Sequence, residues 1–277
     1  MSASLSKLII KSTAINIMVA IGLLGALASG SLIAADYGVP SNNPSDNPPA
    51  VEPDLESRST NPDRPPAYGP EDPLVLVVIF SDYKCPACRR ANSATHQIAA
   101  EFPDEVRIEV WQRPLAMHSG ADRAAVAALA AQRQGKFWEM HDLIFLNFGK
   151  TSDEELEQHA MALDLNMEQF RADMNDPEIM ARVQREHDLA DELGTRATPG
   201  WVINGKTSVG WGSWASFRRK VEMELEASRT LAQEGLTPTE VREQRAIDNN
   251  TDSEIYELYR SNILTQDEAV EVEVVSK

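Results

Sequence analysis

The motif Cys85-Pro86-Ala87-Cys88 contains the only two cysteines of this chain. Residues 74–80 before it are apolar and rich in β-branched side chains, which predicts a buried strand, and residues 89–101 after it predict a helix. Because the free N–H groups at a helix N-terminus stabilise an anion, a cysteine at this junction loses its proton easily. Nearby positive charge comes from Lys84, Arg89 and Arg90. The motif therefore predicts thiol–disulfide exchange.

A Cys-x-x-Cys pair is also half of a common zinc site, which is the alternative interpretation. Tetrahedral zinc needs four ligands, usually from two such pairs or from one pair with two closely spaced histidines. The chain has no second cysteine pair, and its five histidines lack that spacing: His96, His118, His141, His159 and His187. We therefore expect no metal and no cofactor, because the two sulfur atoms themselves carry the electrons.

The composition limits the classes of partner. The chain has 277 residues and a formal net charge of −17. Binding to nucleic-acid phosphates requires a basic surface, so we expect no nucleic acid as a partner. A hydrophobic fraction of 42% is sufficient for a folded core, and the length allows one large domain with additional segments at its ends.

The amino-terminal segment predicts export across a membrane. Lys7 and Lys11 precede an uncharged, largely apolar stretch at residues 12–35, and Asp36 follows it. This order of charges places the amino terminus inside and the rest of the chain outside. The stretch is long enough for an uncleaved membrane anchor, whereas Ala26-Leu27-Ala28 also fits the cleavage site of a signal peptide. Both alternatives place the cysteine pair in an oxidising compartment, the periplasmic side of a bacterial cell envelope.

Beyond residues 1–35 the composition divides the chain into three parts. Residues 36–72 are rich in proline, serine, asparagine and acidic residues, and we expect them to form a disordered linker. Residues 73–234 have the patterns of a folded domain, with a helical block at about 119–193 between a second strand and a hairpin at Asn204-Gly205. Residues 235–277 form an acidic extension to which the sequence assigns no function.

Three sequence motifs resemble the DsbA branch of the thioredoxin-like oxidoreductases. FSDYKCPAC at residues 80–88 is similar to the active-site motif of that branch, and GTRATPGWVING at residues 194–205 to its cis-proline loop and following hairpin. KFWEMHD at residues 136–142 is similar to a helix of its inserted domain. The resemblance covers about residues 73–231. It implies an α/β, thioredoxin-like fold with an inserted helical domain, here preceded by an apolar helix and a linker.

The resemblance also implies roles for four residues. Cys85 is expected to be the more exposed, attacking thiol, and Cys88 the inward thiol that resolves mixed disulfides. Thr198 and Pro199 are expected to bind the substrate, with the peptide bond between them cis and facing the cysteines.

One position departs from the family pattern. Related proteins often carry a buried acid six residues before the first cysteine, where this chain has Ile79. Two interpretations of Asp82, the nearest acid, remain open: a replacement for that acid, or a residue of the turn that enters the helix. His118, in a loop, is interpreted as a solvated histidine, with a place near the active site as the alternative. We expect Trp201, Trp211 and Trp214 to pack in the core. The alternative is that they form a substrate-binding surface.

The leading hypothesis for function is an enzyme, a dithiol oxidase that donates its Cys85–Cys88 disulfide to exported proteins containing cysteine. Two alternatives remain: a disulfide reductase or isomerase that works from the dithiol form, and a peptide-binding, chaperone-like module. The resemblance implies a membrane redox partner similar to DsbB or DsbD. Because Pro86 and Ala87 include no histidine, we expect a weaker oxidant than a protein with histidine between its cysteines.

Overall fold

The computed structural model describes residues 58–59, 61–250 and 252–266. Strands in these ranges form one six-stranded sheet: β1 (Arg58–Ser59), β2 (Ala67–Tyr68), β3 (Val75–Ser81), β4 (Val106–Gln112), β5 (Gly200–Ile203) and β6 (Lys206–Val209). Their order across the sheet is β1-β2-β4-β3-β5-β6. The central strands β3 and β4 are parallel, and the other neighbouring strands are antiparallel.

Helices of the same ranges surround this sheet. They are α1 (Pro86–Glu101), α2 (Ala121–Gln132), α3 (Phe137–Leu146), α4 (Asp153–Ala162), α5 (Met167–Asp173), α6 (Pro177–Glu192), α7 (Trp214–Gln233), α8 (Pro238–Asn249) and α9 (Ser253–Asn262), followed by a 3₁₀-helix at Leu264–Gln266. Helix α1 follows β3 directly, and α2 to α6 all lie between β4 and β5. The predicted fold, thioredoxin-like with an inserted helical block, is confirmed.

The side chains of β3 alternate between two hydrophobic cores. Val75, Val77 and Ile79 lie in a first core with α1, α7 and the inserted helices. The even-numbered residues from Leu76 to Phe80 lie in a second core, to which α6, α8 and α9 contribute. A strand that is buried on both faces has a continuous apolar sequence, which is why residues 74–80 predicted it.

The folded body begins before Pro73. Strand β2 pairs with β4, and Tyr68 is fully buried with its ring centre 3.8 Å from that of Trp138. The prediction of a disordered linker over residues 36–72 is therefore wrong for residues 61–72 and for Arg58–Ser59, which pair with β2. A single buried aromatic side chain such as Tyr68 contributes a large apolar area. The proline-rich composition of the segment as a whole did not indicate that this side chain is buried. Residues 36–57 lie outside the described residues.

The predictions for the two ends of the chain compare differently with the structure. The predicted anchor or signal peptide, residues 1–35, lies outside the described residues. No helix within the described ranges is both long and apolar enough to cross a bilayer. Part of the predicted extension at residues 235–277 is described and belongs to the second core, where Ala246, Tyr259 and Ile263 are buried.

The turn between β5 and β6 is the predicted hairpin turn. Asn204 and Gly205 have φ angles of 41° and 83°, as two-residue turns of this kind require. A Cβ atom on Gly205 would lie 2.6 Å from the side chain of Asn250 and 3.1 Å from the Ala246 backbone. Glycine at this position therefore allows α8 to approach the hairpin.

Candidate active site

The cysteine motif lies where β3 ends and α1 begins. Cys85 is the N-cap residue of α1, and Pro86 is in its first turn, where proline is favoured because the missing N–H has no helical partner. The Cys85 N–H donates to the Asp82 carbonyl at 3.1 Å and closes the turn. The predicted junction of strand and helix is confirmed.

The two sulfur atoms have opposite environments. Both cysteines are free thiols, and Cys85 is 7% exposed whereas Cys88 is 1% exposed. The pKa of Cys85 is lowered from 9.0 to about 5, chiefly by a hydrogen bond from Cys88, with contributions from the Thr198 side chain and the N–H groups of Cys88 and Ala87 that outweigh the effect of burial. Burial and then the contact with Cys85 raise the pKa of Cys88 well above 9.0. At neutral pH one sulfur is a thiolate and the other keeps its proton.

The basic side chains beside the motif do not lower the pKa of Cys85, although the sequence predicted that they would. Lys84, Arg89 and Arg90 are not among the groups that lower the pKa of Cys85. Lys84 Nζ donates to the Gly149 carbonyl at 3.2 Å, and the Arg89 guanidinium carbon lies 5.1 Å from the ring centre of Phe148. These two side chains are directed at the loop after α3. The hydrogen bonds at the helix N-terminus, and not the basic side chains, therefore lower the pKa.

The loop before β5 lies against Cys85. Its Thr198-Pro199 peptide bond is cis, as expected, and the Thr198 carbonyl oxygen is 3.4 Å from Cys85 Sγ. Strand β5 places the loop there, because Gly200 pairs with Phe80 at the end of β3. The structure therefore brings together the residues predicted for the site: Cys85, Cys88, Thr198 and Pro199.

Asp82 is a fully buried carboxylate beside the cysteine pair. It accepts hydrogen bonds from the backbone N–H groups of Lys84 at 2.7 Å and Leu115 at 2.8 Å, and His118 Nδ1 lies 2.7 Å from its Oδ2 atom. Its own N–H lies 3.5 Å from Cys88 Sγ. Asp82 is thus both a turn residue and a buried acid. The interpretation of His118 as a solvated histidine is wrong, since its side chain is only 21% exposed and binds Asp82.

A buried polar chain, which the sequence analysis missed, joins the active-site turn to the inserted helices. The Tyr83 hydroxyl donates to His141 Nδ1 at 2.8 Å, and His141 Nε2 donates to Asn92 Oδ1 at 2.7 Å. Asn92 and His96 both contact Asp142 at 3.0 Å. Burial lowers the pKa of His141 to about 4, so the imidazole is neutral and the chain holds α3 against α1.

The tryptophans near the hairpin form an aromatic cluster with α7. Trp201 is 2% exposed, and its ring centre lies 4.4 Å from that of Phe217. Trp211 and Trp214 are half-buried and lie 5.9 and 6.3 Å from the same ring. Core packing, the default interpretation, accounts for this cluster.

The fold and the site together define a class of protein. Within the described ranges, no three His, Cys, Asp or Glu side chains converge where a metal ion would bind. A thiolate at a helix N-terminus, a buried second thiol and a cis-proline loop meet at one end of the central strand instead. This arrangement is a dithiol redox site on a thioredoxin-like fold.

Comparison with known proteins places the chain in a family. A family model described as thioredoxin matches residues 61–223. The chain belongs to the thioredoxin family, and its structural neighbours include proteins of the DsbA type.

Individual relatives share part of the chain. A thioredoxin-like oxidoreductase from Silicibacter pomeroyi has 30% identity and a TM-score of 0.55, and the match covers 61% of this chain and 97% of that one. The thiol-disulfide exchange protein alpha-DsbA2 from Wolbachia pipientis has 23% identity and a TM-score of 0.53, with coverages of 57% and 86%. The Na(+)/H(+) antiporter NhaA 3 of Salinispora tropica is 36% identical over 148 residues, which is 53% of this chain. This chain spans only 22% of the antiporter's length.

Proposed function

We propose that this protein is a thiol–disulfide oxidoreductase that oxidises exported proteins with a Cys85–Cys88 disulfide. The observation that carries the proposal is the asymmetry of the pair. The pKa of Cys85 is lowered to about 5, whereas the pKa of the buried Cys88 is raised. A low pKa makes Cys85 a good leaving group, and it stabilises the dithiol product relative to the disulfide.

The proposed reaction has two exchange steps. A substrate thiolate attacks Cys85 Sγ, the bond between Cys85 and Cys88 breaks, and Cys88 leaves as a thiolate that takes up a proton because its pKa is high. A second substrate thiolate then attacks the substrate sulfur of the mixed disulfide and releases the Cys85 thiolate. The substrate loses two electrons, and the protein ends as the dithiol. An oxidant, in our proposal a membrane redox partner similar to DsbB, must restore the disulfide.

The proposed roles of Thr198 and Pro199 are to contact the substrate beside the attacked sulfur. The Thr198 carbonyl lies 3.4 Å from Cys85 Sγ, and the Thr198 hydroxyl is buried without another partner. Pro199 has no N–H, so it does not compete for the backbone of a bound segment. These contacts support an extended cysteine-containing segment as the substrate.

The proposed location is the periplasmic side of a bacterial cell envelope. The charges around residues 12–35 support it, as does the presence of one cysteine pair suited to an oxidising compartment. Anchoring by residues 12–35 and release by a signal peptidase remain the two forms of this proposal. The amino-terminal sequence of the mature protein distinguishes them.

The direction of the reaction is tested by trapping the thiols in growing cells with an alkylating reagent. The proposal expects the Cys85–Cys88 pair to be mostly oxidised. If both thiols are free, the reductase or isomerase function replaces the oxidase, and a partner similar to DsbD would supply the electrons. The purified full chain, assayed for insulin reduction beside a Cys85→Ser variant, separates either enzyme from a chaperone-like module.

A further inference from the structure

A group of side chains beside Cys85 has no role in the site described above. Lys84 and Arg89 converge on the loop after α3, where Lys84 Nζ donates to the Gly149 carbonyl at 3.2 Å and the Arg89 guanidinium carbon lies 5.1 Å from the ring centre of Phe148. Lys150, which is exposed, follows in the same loop. We call these four residues the cationic platform: Lys84, Arg89, Phe148 and Lys150. The loop holds both cations in place, so their positions are set before a ligand arrives.

The cations of the platform lack ion-pair partners within the described residues. Many arginines elsewhere in those residues are bound to carboxylates, as Arg133, Arg218 and Arg245 are. Lys84, Arg89 and Lys150 are in none of these pairs, and Arg89 Nε is buried without a hydrogen-bond partner. In a chain of net charge −17, unpaired cations at one place are unexpected. The buried Nε is closed to a partner molecule, but the two terminal nitrogens of Arg89 make no ion pair in the described ranges, and a guanidinium can bind a carboxylate through two hydrogen bonds.

The platform lies beside the reacting sulfur. Cys85 is the N-cap of α1 and Arg89 is four residues later, which places the two on neighbouring turns of one helix face. The Arg89 guanidinium itself lies against Phe148, so its charge is presented at the loop after α3 and not at the sulfur. Lys84 is the residue before Cys85. A partner segment whose cysteine reacts with Cys85 therefore places its flanking residues near the platform.

Most acidic residues of this chain near the platform already bind other groups of the chain. Asp82 is buried and Asp142 is half-buried, and both are bound to histidines. On α4, Asp153 binds Arg123 and Glu155 forms the capping box with Ser152, which leaves Glu154 exposed without a partner in the described ranges. The platform is consequently available to a carboxylate from another molecule.

We infer that the cationic platform selects partner segments in which an acidic residue lies next to the reacting cysteine. The partner is a polypeptide segment with Asp or Glu within about two positions of its cysteine, the separation at which an extended segment bound at Cys85 reaches Lys84 and Arg89. The inference rests on the proposed exchange at Cys85 and adds a preference among substrates. Charge complementarity of this kind acts mainly on association rate and specificity.

The test uses the oxidised full chain and two reduced peptides that differ only beside the cysteines, with Glu in one and Gln in the other. Quenched-flow mixing with mass spectrometry gives the rate constant for oxidation of each peptide. The Glu-to-Gln ratio of rate constants is compared between the wild type and the variant Lys84→Gln/Arg89→Gln. The intrinsic reactivity of each peptide thiol cancels in this comparison, and the Gln peptide reports any change in Cys85 itself.

The matched control is Lys206→Gln. Lys206 is an exposed cation without an ion pair in the described ranges, and it pairs with Ile203, away from the end of β5 that approaches the cysteines. We expect the Glu-to-Gln ratio to fall about tenfold in the double variant, to stay unchanged in Lys206→Gln, and to shrink in the wild type at high salt. Equal ratios in the wild type and the double variant would overturn the inference while leaving the exchange activity intact. Absence of oxidation of either peptide would contradict the proposed function itself, and the inference with it.

Discussion

The two ends of strand β3 use polar side chains in opposite ways. At the carboxyl end, the cysteine end, the Cys85 sulfur is a thiolate in contact with the Thr198 side chain, and Arg89 Nε is buried without a hydrogen-bond partner. At the amino end, the hairpin end, Asn204 is fully buried and its side chain binds the backbone of Leu74 and Leu76 at 3.0 and 2.9 Å. The Asn204 side chain is satisfied by the backbone of the chain itself, whereas Arg89 Nε at the cysteine end has no partner in the described residues.

The hairpin end is held by residues from three elements. Glu224 on α7 accepts hydrogen bonds from Arg245 at 2.8 Å and from Asn249 at 3.3 Å, and Asn249 also donates to the Asn204 carbonyl at 3.0 Å. These three partners lie beyond the segment that matches the family model, residues 61–223. Buried polar groups stabilise the fold where all their hydrogen bonds are formed, as at the hairpin end. Where a hydrogen bond is missing, as at the cysteine end, the polar group is available for chemistry.

The largest expected effect is at the cysteine end. Cys85→Ser should lower the exchange rate by about a thousandfold or more, because a serine hydroxyl stays protonated at neutral pH and does not form a disulfide. Insulin reduction by the purified full chain measures it. Cys88→Ala cannot form the Cys85–Cys88 disulfide, but its Cys85 thiolate can attack a disulfide of an oxidised exported protein and displace one of the two substrate sulfurs as a thiolate. This variant should accumulate mixed disulfides, because no second thiol resolves them. Trapping by Cys85→Ala instead would reverse the assigned roles.

The hairpin end should respond in stability and not in chemistry. Asn204→Ala leaves the Leu76 N–H and the Leu74 carbonyl without their partner, and it should lower the free energy of unfolding by about 2–4 kcal/mol. Urea denaturation measures this loss. The exchange rate of the folded variant should match the wild type. Asn175→Ala, on an exposed helix end, is the control and should change stability by less than about 0.5 kcal/mol. A slower exchange in folded Asn204→Ala would remove the distinction between the two ends.

The stability of the reduced protein should depend on pH because the pKa of Cys85 is lowered in the folded state. Because the pKa of Cys85 in the folded dithiol form is lowered from 9.0 to about 5, its thiolate contributes stability that is fully present above pH 9 and is lost as the pH falls through about 5. Cys88, whose pKa is raised, contributes only above that window. The unfolding free energy of the reduced wild type, minus that of reduced Cys85→Ser, should therefore rise from pH 5 to pH 9. A difference that stays flat over this range would show that the thiolate is not stabilised.

The smallest expected effect separates the contacts on the thiolate. Thr198→Val removes the hydroxyl and keeps the shape, so the pKa of Cys85 should rise, because the Thr198 side chain helps to lower it. Cys88→Ala should raise that pKa more, since the contact with Cys88 is the largest cause. The pH dependence of alkylation by iodoacetamide gives both values. The reverse order would mean that the cis-proline loop, and not the second cysteine, controls the nucleophile.

Much of the structure at both ends of β3 was predictable because its signals are local. The apolar run before Cys85 and the helix after it defined a strand–helix junction, and the Asn204-Gly205 pair predicted the hairpin turn that the φ angles confirm. The resemblance to known motifs added Thr198 and Pro199. The linker prediction failed at Tyr68, because composition describes a segment as a whole and burial depends on one side chain finding a cavity.

The sequence by itself predicted the central strand, the helix after it, the hairpin turn and the two sulfur atoms proposed to carry the chemistry, because strand pattern, helix start and cysteine spacing depend on neighbouring residues. Only the tertiary structure decided what surrounds those atoms. Asp82 and His118 are 36 residues apart, and Tyr83 and His141 are 58 apart, so neither contact follows from local spacing. The same holds for Lys84 and Arg89. Their positions in the sequence predicted an effect on the Cys85 sulfur, but in the fold their side chains contact Gly149 and Phe148. Electrostatic effects depend on distance in space, and only the folded chain sets those distances.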